Sequence, residues 1–252
     1  MALDDRNLTV RLARTQDEIA AAQRLRYEVF VAELGGGGTL VDHENRLERD
    51  RFDPFFDHLL LTDARKDGAV VGVYRLLRDD QAEAAGQFYS EDEYDLSLLR
   101  ASGRRLMELG RSCLHRDYRG GPGVMLMWQA VSDYVAEHGI EILFGTASFH
   151  GTDVQRLAHP LSLLHARHLA PDELRVRSRV FQQMDLLPEE EIDRRRAMVE
   201  TPALIKGYLR LGGMVGEGAF VDHAFNTTDV CLVMDTQRLN AQAAARVRRG
   251  RG

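Results

Sequence analysis

The 252-residue sequence holds only two cysteines, Cys113 and Cys231, and no CxxC pair. That excludes a disulfide framework and a thiol-based metal or redox centre, and it fits a reducing compartment. No run reaches the roughly 18 apolar residues that a membrane span needs, and Met1 to Val10 shows no apolar stretch after a basic start. A cytoplasmic chain that neither spans a membrane nor is exported by that route is expected. A net charge of −6 argues against a general nucleic-acid binder. The Gly-Lys-Ser/Thr ending of a phosphate loop, the spacing of a dinucleotide fingerprint, HExxH and GxSxG are all missing. Nucleotide hydrolysis, hydride transfer, zinc hydrolysis and a serine nucleophile lose their usual sequence support. Ser148, within Gly145-Thr146-Ala147-Ser148, reads by default as a core serine. His150, His159, His165 and His168 have no cysteine nearby, and no metal is expected.

The content is that of a globular protein, 44% hydrophobic and 29% charged. One domain over 1–236 is expected, followed by a basic tail over 237–252 that carries Arg246, Arg248, Arg249 and Arg251. Leu8, Val10 and Leu12 alternate as a half-buried strand does, and Thr15 with Glu18 forms a capping box that opens a helix. Ile19, Ala22, Leu25 and Val29 mark the apolar face of that helix; Arg26 and Phe30, four apart, point the same way. Gly35 to Gly38 ends it, and a charged, mobile stretch is expected from Asp42 to Arg51.

His58–Thr62 and Ala69–Leu77 read as a hairpin around Lys66-Asp67-Gly68. A strand over Arg105–Cys113 precedes a Gly/Pro-rich turn, and a helix runs from Pro122 to Gly139. Ile140–Phe149 is apolar almost throughout, as a central strand covered on both faces would be. Thr152–Ala170 is expected to be helical with an interruption at Pro160, and Pro188–Leu211 to give helices broken at Pro202. Strands near Ala219–Asp222 and Val230–Asp235 close the pattern.

Glu108-Leu109-Gly110-Arg111-Ser112 places an acid, a glycine and a base inside an apolar strand. In a regular strand Glu108 and Arg111 face opposite sides; a bulge at Gly110 would bring them to one site and free a backbone N–H. The alternative reading is a buried ion pair tying strand to helix. Asp53-Pro54-Phe55-Phe56-Asp57-His58 and Arg75 add acids and a base near strand ends. With Arg26 they could bind a zwitterionic amino acid, Arg26 or Arg75 gripping its carboxylate and Asp53 and Asp57 its ammonium groups. The turn Arg116 to Gly123 could present N–H groups to phosphate oxygens at a helix N-terminus.

Together, Arg26 to Phe30, Asp53 to His58, Gly72 to Arg75 and Glu108 to Cys113 resemble the ornithine-acyl-carrier-protein N-acyltransferases. Pro202 to Arg210 and Phe225 to Val230 extend the similarity into the C-terminal half. The acyl-homoserine-lactone synthases are similar more distantly. The resemblance implies an α/β (α+β) fold: a GNAT-like mixed central sheet with flanking helices and a C-terminal extension of helices and strands. It also implies 3-hydroxyacyl transfer from acyl carrier protein to the α-amine of L-ornithine without a covalent enzyme intermediate.

No cofactor is then expected, the phosphopantetheine-linked donor being a substrate. Glu108 would be the general base, an N–H beside Gly110 the oxyanion donor, and Arg111 an oxyanion or carboxylate contact. Arg26, Phe30, Asp53, Asp57, Arg75 and Ser148 would contact the acceptor. Arg104, Arg105, Arg116 and Arg119 would meet the carrier, because Pro122 departs from the pyrophosphate-binding turn of coenzyme A enzymes. An amphiphilic product is compatible with a peripheral place at the inner membrane surface. Acylation of another amino acid such as glutamine, synthesis of an acyl-homoserine lactone, or a non-catalytic carrier-binding module are the alternatives.

Overall fold

A computed structural model describes residues 5–238; the tail arginines from Arg246 onward lie outside the described residues. The elements, in order, begin with β1 (Leu8–Leu12), α1 (Gln16–Arg26), β2 (Asp57–Asp63), β3 (Ala69–Arg78), α2 (Asp79–Ala85) and β4 (Tyr94–Asp95). Then come α3 (Ser97–Ala101), β5 (Leu106–Leu114), α4 (Gly123–His138), β6 (Ile142–His150), α5 (Ala158–His168) and β7 (Arg177–Ser178). The chain closes with α6 (Arg194–Glu200), α7 (Ala203–Arg210), β8 (Met214–Val215), β9 (Phe220–Asp222) and β10 (Thr227–Asp235).

The described residues form two compact units, one from residues up to 88 together with 109–139, the other from residues 89–108 together with those from 140 to 238. In the first, β1, β2, β3 and the later part of β5 lie side by side in that order. β1–β2 and β2–β3 are antiparallel. In the second, the start of β5 pairs in parallel with β6 from Leu106↔Ile142 to Glu108↔Phe144. β10 runs antiparallel to β6 along its length and takes β8 and β9 as further partners. β4 and β7 form a separate small ribbon.

Local chemistry accounts for most element ends. Thr15 and Glu18 exchange the two bonds of the capping box that opens α1. Asp67 and Gly68 take the left-handed backbone that the β2–β3 turn needs, with φ of 52° and 75°. Pro122 caps α4, and Gly139, at φ 62°, stops it. Pro160 does not interrupt α5. It lies in the first turn, where its missing N–H has no helical partner to lose, and the helix simply begins later than expected, at Ala158. α2, α3 and the two-residue strands β4, β7 and β8 carry too little periodic sequence to be expected at all.

Alternation sorts the residues of the first unit onto two faces. Ala22, Leu25 and Val29 pack on Leu60 of β2, Val73 of β3 and Cys113 of β5. On the other face Tyr74 meets Trp128 of α4 edge-on at 6.4 Å. A Cβ on Gly72 would lie 2.5 Å from Leu114 Cδ2 and 3.0 Å from Leu61 Cβ, so this position requires glycine for space. Gly72→Ala is expected to destabilise the chain by about 1–3 kcal/mol through overpacking, read as a lower urea midpoint at unchanged slope.

Candidate active site

α1 does not stop at Arg26. It continues as a π-helix over Tyr27–Glu33, with Leu34 N–H donating to Val29 O at 3.2 Å. Widened turns of this kind recur at functional sites. Here the widening falls between Arg26 and Phe30, so the two are no longer stacked one α-turn apart. Arg26 is wholly buried, and Phe30, half-buried, packs against the apolar core.

Arg26 stands at the centre of an ion network. Its Nη1 and Nη2 donate to Asp53 Oδ1 and Oδ2 at 2.7 and 2.8 Å, while Nε reaches Glu48 Oε2 at 2.5 Å and Nη2 the Glu48 carbonyl at 2.6 Å. Arg75, also 0% exposed, donates from Nη1 to Asp53 Oδ1 at 2.7 Å and Asp50 Oδ1 at 2.9 Å, with the Phe56 ring 4.3 Å from its guanidinium. Gln23 Nε2 adds a bond to Asp53, and the His58 ring nitrogen Nε2 sits 3.0 Å from the Asp53 carbonyl.

Arg111 completes the set, its Nε 3.1 Å from Glu48 Oε1 and its Nη2 3.5 Å from Asp50 Oδ2. The three arginines and the acids Glu48, Asp50 and Asp53 balance in charge. Only the Arg111 and Asp50 side chains reach solvent appreciably, at 15% and 18%.

Several sequence expectations change. The guanidinium groups of Arg26 and Arg75, expected to grip a substrate carboxylate, are engaged by the protein's own acids. Asp57 does not join Asp53. It pairs with Arg78 at 2.8 Å and accepts from the Tyr134 hydroxyl at 2.5 Å, on the α4 face. β2 alternation explains this: His58 lies opposite Arg75 and Asp57 opposite Leu76, so the two β2 neighbours point to different faces. The charged stretch from Asp42 to Arg51 is pinned, through Glu48 N–H to Gln23 O at 3.1 Å and the buried Glu48 carboxylate. Glu48 and Asp50 were missed because a run of alternating charges reads as a solvated surface.

Within β5 the left-handed residue is Arg111, at φ 49°, and not Gly110. A non-glycine residue held there is strained, and strain of this kind gathers at functional sites. Glu108 takes other partners, within the second unit. Its buried carboxylate accepts from Tyr89 N–H at 2.7 Å, from Ser90 N–H at 2.8 Å and from the Ser90 hydroxyl.

Ser148 is exposed on β6, opposite Asp229 of β10. Arg104 is committed to Asp235, at 3.0 and 2.7 Å. Arg105 lies beside it, its backbone N–H donating to Glu141 Oε2 at 3.1 Å. Arg119 forks onto Glu33, and Arg116 lines an open cavity of about 610 Å³ with Glu28, Arg46 and His115. The turn between β5 and α4 is tied down by Tyr118, whose hydroxyl donates to Asp63 at 2.7 Å and whose ionisation is pushed up to about 12 by burial and that bond.

Among the described residues, the carboxylates of Glu93, Asp222 and Asp229 alone gather with metal-ligand spacing, within 4.8 Å of one another; the histidines do not. None of the described helices is long and apolar enough to cross a membrane.

The acetyltransferase (GNAT) domain family matches residues 25–129. A solved N-acyl amino acid synthase from uncultured soil microbes, FeeM, superposes with a TM-score of 0.55 over 93% of this chain and 94% of that one, at 13% identity. Fold and sequence thus define a mixed α/β acyltransferase of the GNAT type. The L-ornithine N(alpha)-acyltransferase of Rhodobacter capsulatus is 61% identical over 244 residues, 95% of this chain and 94% of that protein. That of Brucella abortus is 43% identical, covering 94% and 87%. The chain belongs to the L-ornithine N(alpha)-acyltransferase family.

Burial alone would raise the carboxyls of Glu48, Asp50 and Asp53, but the surrounding arginines hold all three below the ordinary range. Their ionised forms therefore stabilise the fold above pH ~4, and that contribution is lost as the pH falls further. His58 is also held low, first by burial, so folding favours its neutral ring. Its contribution is complete above pH ~6.5 and fades below it. The melting temperature is expected to decline from about pH 6.5 downward and to drop more steeply below about 4; a flat profile over that range would contradict the assignment.

Asp53→Asn strips the shared counter-charge from two dry guanidinium groups and is expected to cost about 3–5 kcal/mol in urea unfolding. Arg111→Gly takes one cation from the buried Glu48 carboxylate but relieves the left-handed backbone, and is expected to cost about 1–3 kcal/mol, less than Asp53→Asn in the same measurement.

Proposed function

We propose that this protein moves a 3-hydroxyacyl group from the thioester of acyl carrier protein to the α-amine of L-ornithine, giving a lyso-ornithine lipid. The observation that carries the reading is the 61% identity, across nearly the whole of both chains, to a protein named L-ornithine N(alpha)-acyltransferase, which supports the acceptor and the acyl transfer; the carrier-bound 3-hydroxyacyl donor is part of the proposal. In the reaction the amine nitrogen attacks the thioester carbonyl, the C–N bond forms, the C–S bond breaks and the carrier thiol leaves. The acceptor must lose a proton, and the developing oxyanion must be met by a donor.

The ion network supports the acceptor side. Its dry end fixes the geometry, and its accessible end offers Arg111 to a carboxylate and Asp50 to an ammonium group. Phe30, at the edge of the same core, contributes an apolar wall, and the backbone N–H beside Gly110 is the proposed oxyanion donor. Ser148, exposed on its strand, remains a proposed acceptor contact. Arg116, Arg119 and Arg105 are assigned to the acidic carrier; Arg104 contributes by holding the β5 entry to Asp235.

Glu108 is assigned as the general base, acting directly or through one water. A second reading is favoured by its three donors: hydrogen bonds to the charged form weaken a base, and they make Glu108 the anchor of the Tyr89–Asp92 turn.

Glu108→Gln and Ser90→Ala separate the two. If Glu108 is the base, Glu108→Gln loses about 100-fold or more in kcat at unchanged stability, and Ser90→Ala stays active. If it is the anchor, both variants lose stability and activity together, and a fully active, folded Glu108→Gln protein would sink both assignments. The reaction itself is tested by mass spectrometry of products from 3-hydroxyacyl carrier protein and equimolar ornithine, lysine, glutamine and S-adenosylmethionine. Enzyme-dependent N-acyl-ornithine is expected; another acylated amine moves the acceptor, and carrier binding without any product leaves a non-catalytic module.

A further inference from the structure

α6 reads Arg-Arg-Arg-Ala-Met-Val-Glu and buries a single residue, Ala197. At about 100° per residue, Arg195 and Val199, each two positions from Ala197, stand on the far side of the helix. Val199 is 74% exposed and Met198 42%, so both apolar side chains protrude from the surface.

Thr201 and Pro202 lead straight into α7, which buries Ile205 and Tyr208 and turns Arg210 and the half-buried Lys206, each two positions from Tyr208, away from the core. The Lys206 ammonium donates to the Met198 carbonyl at 3.1 Å, which sets the two outer faces side by side. Leu211, 47% exposed, extends the apolar part.

The charge on this face is cationic. Arg195 and Arg210 make no ion pair among the described residues, and Lys206 meets only a backbone oxygen. Three neighbouring acids are engaged elsewhere: Glu200 holds Arg196 at 2.7 Å, Asp193 caps the α6 N-terminus, and Glu189 pairs with Arg167 and Arg194; Glu190 and Glu191 lie before the helix and pair with neither Arg195 nor Arg210. Isolated protruding apolar side chains ringed by uncompensated cations suit a soft, negatively charged surface that they can enter. A protein partner would instead need a preformed hollow for each of them.

We propose that the outer faces of α6 and α7 dock this protein on an anionic lipid bilayer, with Met198, Val199 and Leu211 entering the interface and Arg195, Lys206 and Arg210 meeting lipid phosphates. The inference rests on the proposed reading only in that an acylated amino acid is an amphiphile that leaves most readily into lipid. The docking face itself is defined by burial and charge.

The full chain is sedimented with vesicles of phosphatidylcholine alone and of phosphatidylcholine mixed with phosphatidylglycerol, at low and high salt. Binding is expected with the anionic vesicles only and is weakened by salt. Arg195→Glu with Arg210→Glu is expected to reduce it at least about tenfold, and Met198→Ser with Val199→Asp comparably, with melting temperature and turnover on a soluble short-chain donor unchanged.

Undiminished vesicle binding by both variants overturns the proposal and points to cations elsewhere, such as those at 246–251. Loss of acyl carrier protein binding with vesicle binding intact overturns it too, and gives the face to the carrier. Neither readout requires ornithine to be the acceptor, so failure of that reading would show separately in the product assay.

Discussion

An arginine cannot shed its charge on burial, and two of them in the first unit, Arg26 and Arg75, are fully out of water. Everything near them follows from the need to keep both compensated. Asp53 is shared by the two guanidinium groups, which draws the segment before β2 against the end of α1 and the middle of β3. Glu48 answers the remaining side of Arg26, and that pulls an otherwise hydrophilic loop into the interior. The network is the polar continuation of an apolar sheet face: residues 60, 73 and 113 of the three strands pack under α1, and residues 58, 75 and 111 carry the same face on to the ions.

How much of this could be read from sequence depends on whether the signal was local. The capping box of α1, the Asp67-Gly68 turn and the Pro122/Gly139 pair around α4 are local, and they placed the elements well. Alternation was also available. His58 and Arg75 on one face and Asp57, Tyr74 and Arg78 on the other follow from strand parity once β2 and β3 are paired. The pairing of Asp53 with Asp57 treated nearness in sequence as nearness in space, and parity denies it. Glu48 and Asp50 were beyond reach because nothing in Glu44 to Arg51 distinguishes an acid that meets a buried arginine from one that meets water.

The motif Glu108-Leu109-Gly110-Arg111 shows the same limit at finer scale. Its composition flagged a special strand, correctly, yet the glycine is not the residue with unusual backbone. Arg111 adopts the left-handed conformation, and from it the side chain pairs with Glu48 and Asp50. Glu108, two residues before the glycine, spends its carboxylate on the backbone of Tyr89 and Ser90. An acid and a base that look like one catalytic pair in the sequence are thus each bound into a different local structure.

A balanced network is a reasonable frame for a substrate that is itself a zwitterion with an extra ammonium group. A site with a large net charge would bind one end of such a molecule too tightly and repel the other, and a site of loose side chains would lose entropy each time it closed on the ligand. Here the arginine and acid that reach solvent, Arg111 and Asp50, are the outer members of a set whose inner members are immobile. Their positions are therefore fixed before a substrate arrives, by Glu48 on one side and Arg75 on the other. The energetic cost of burying Arg26 and Arg75 is met in folding, and what remains at the surface is one cation and one anion at a set spacing. Under the proposed reading, preorganisation of that kind would favour a transition state over a merely bound amino acid, and would give a reason for buried charge where apolar residues would have packed more simply.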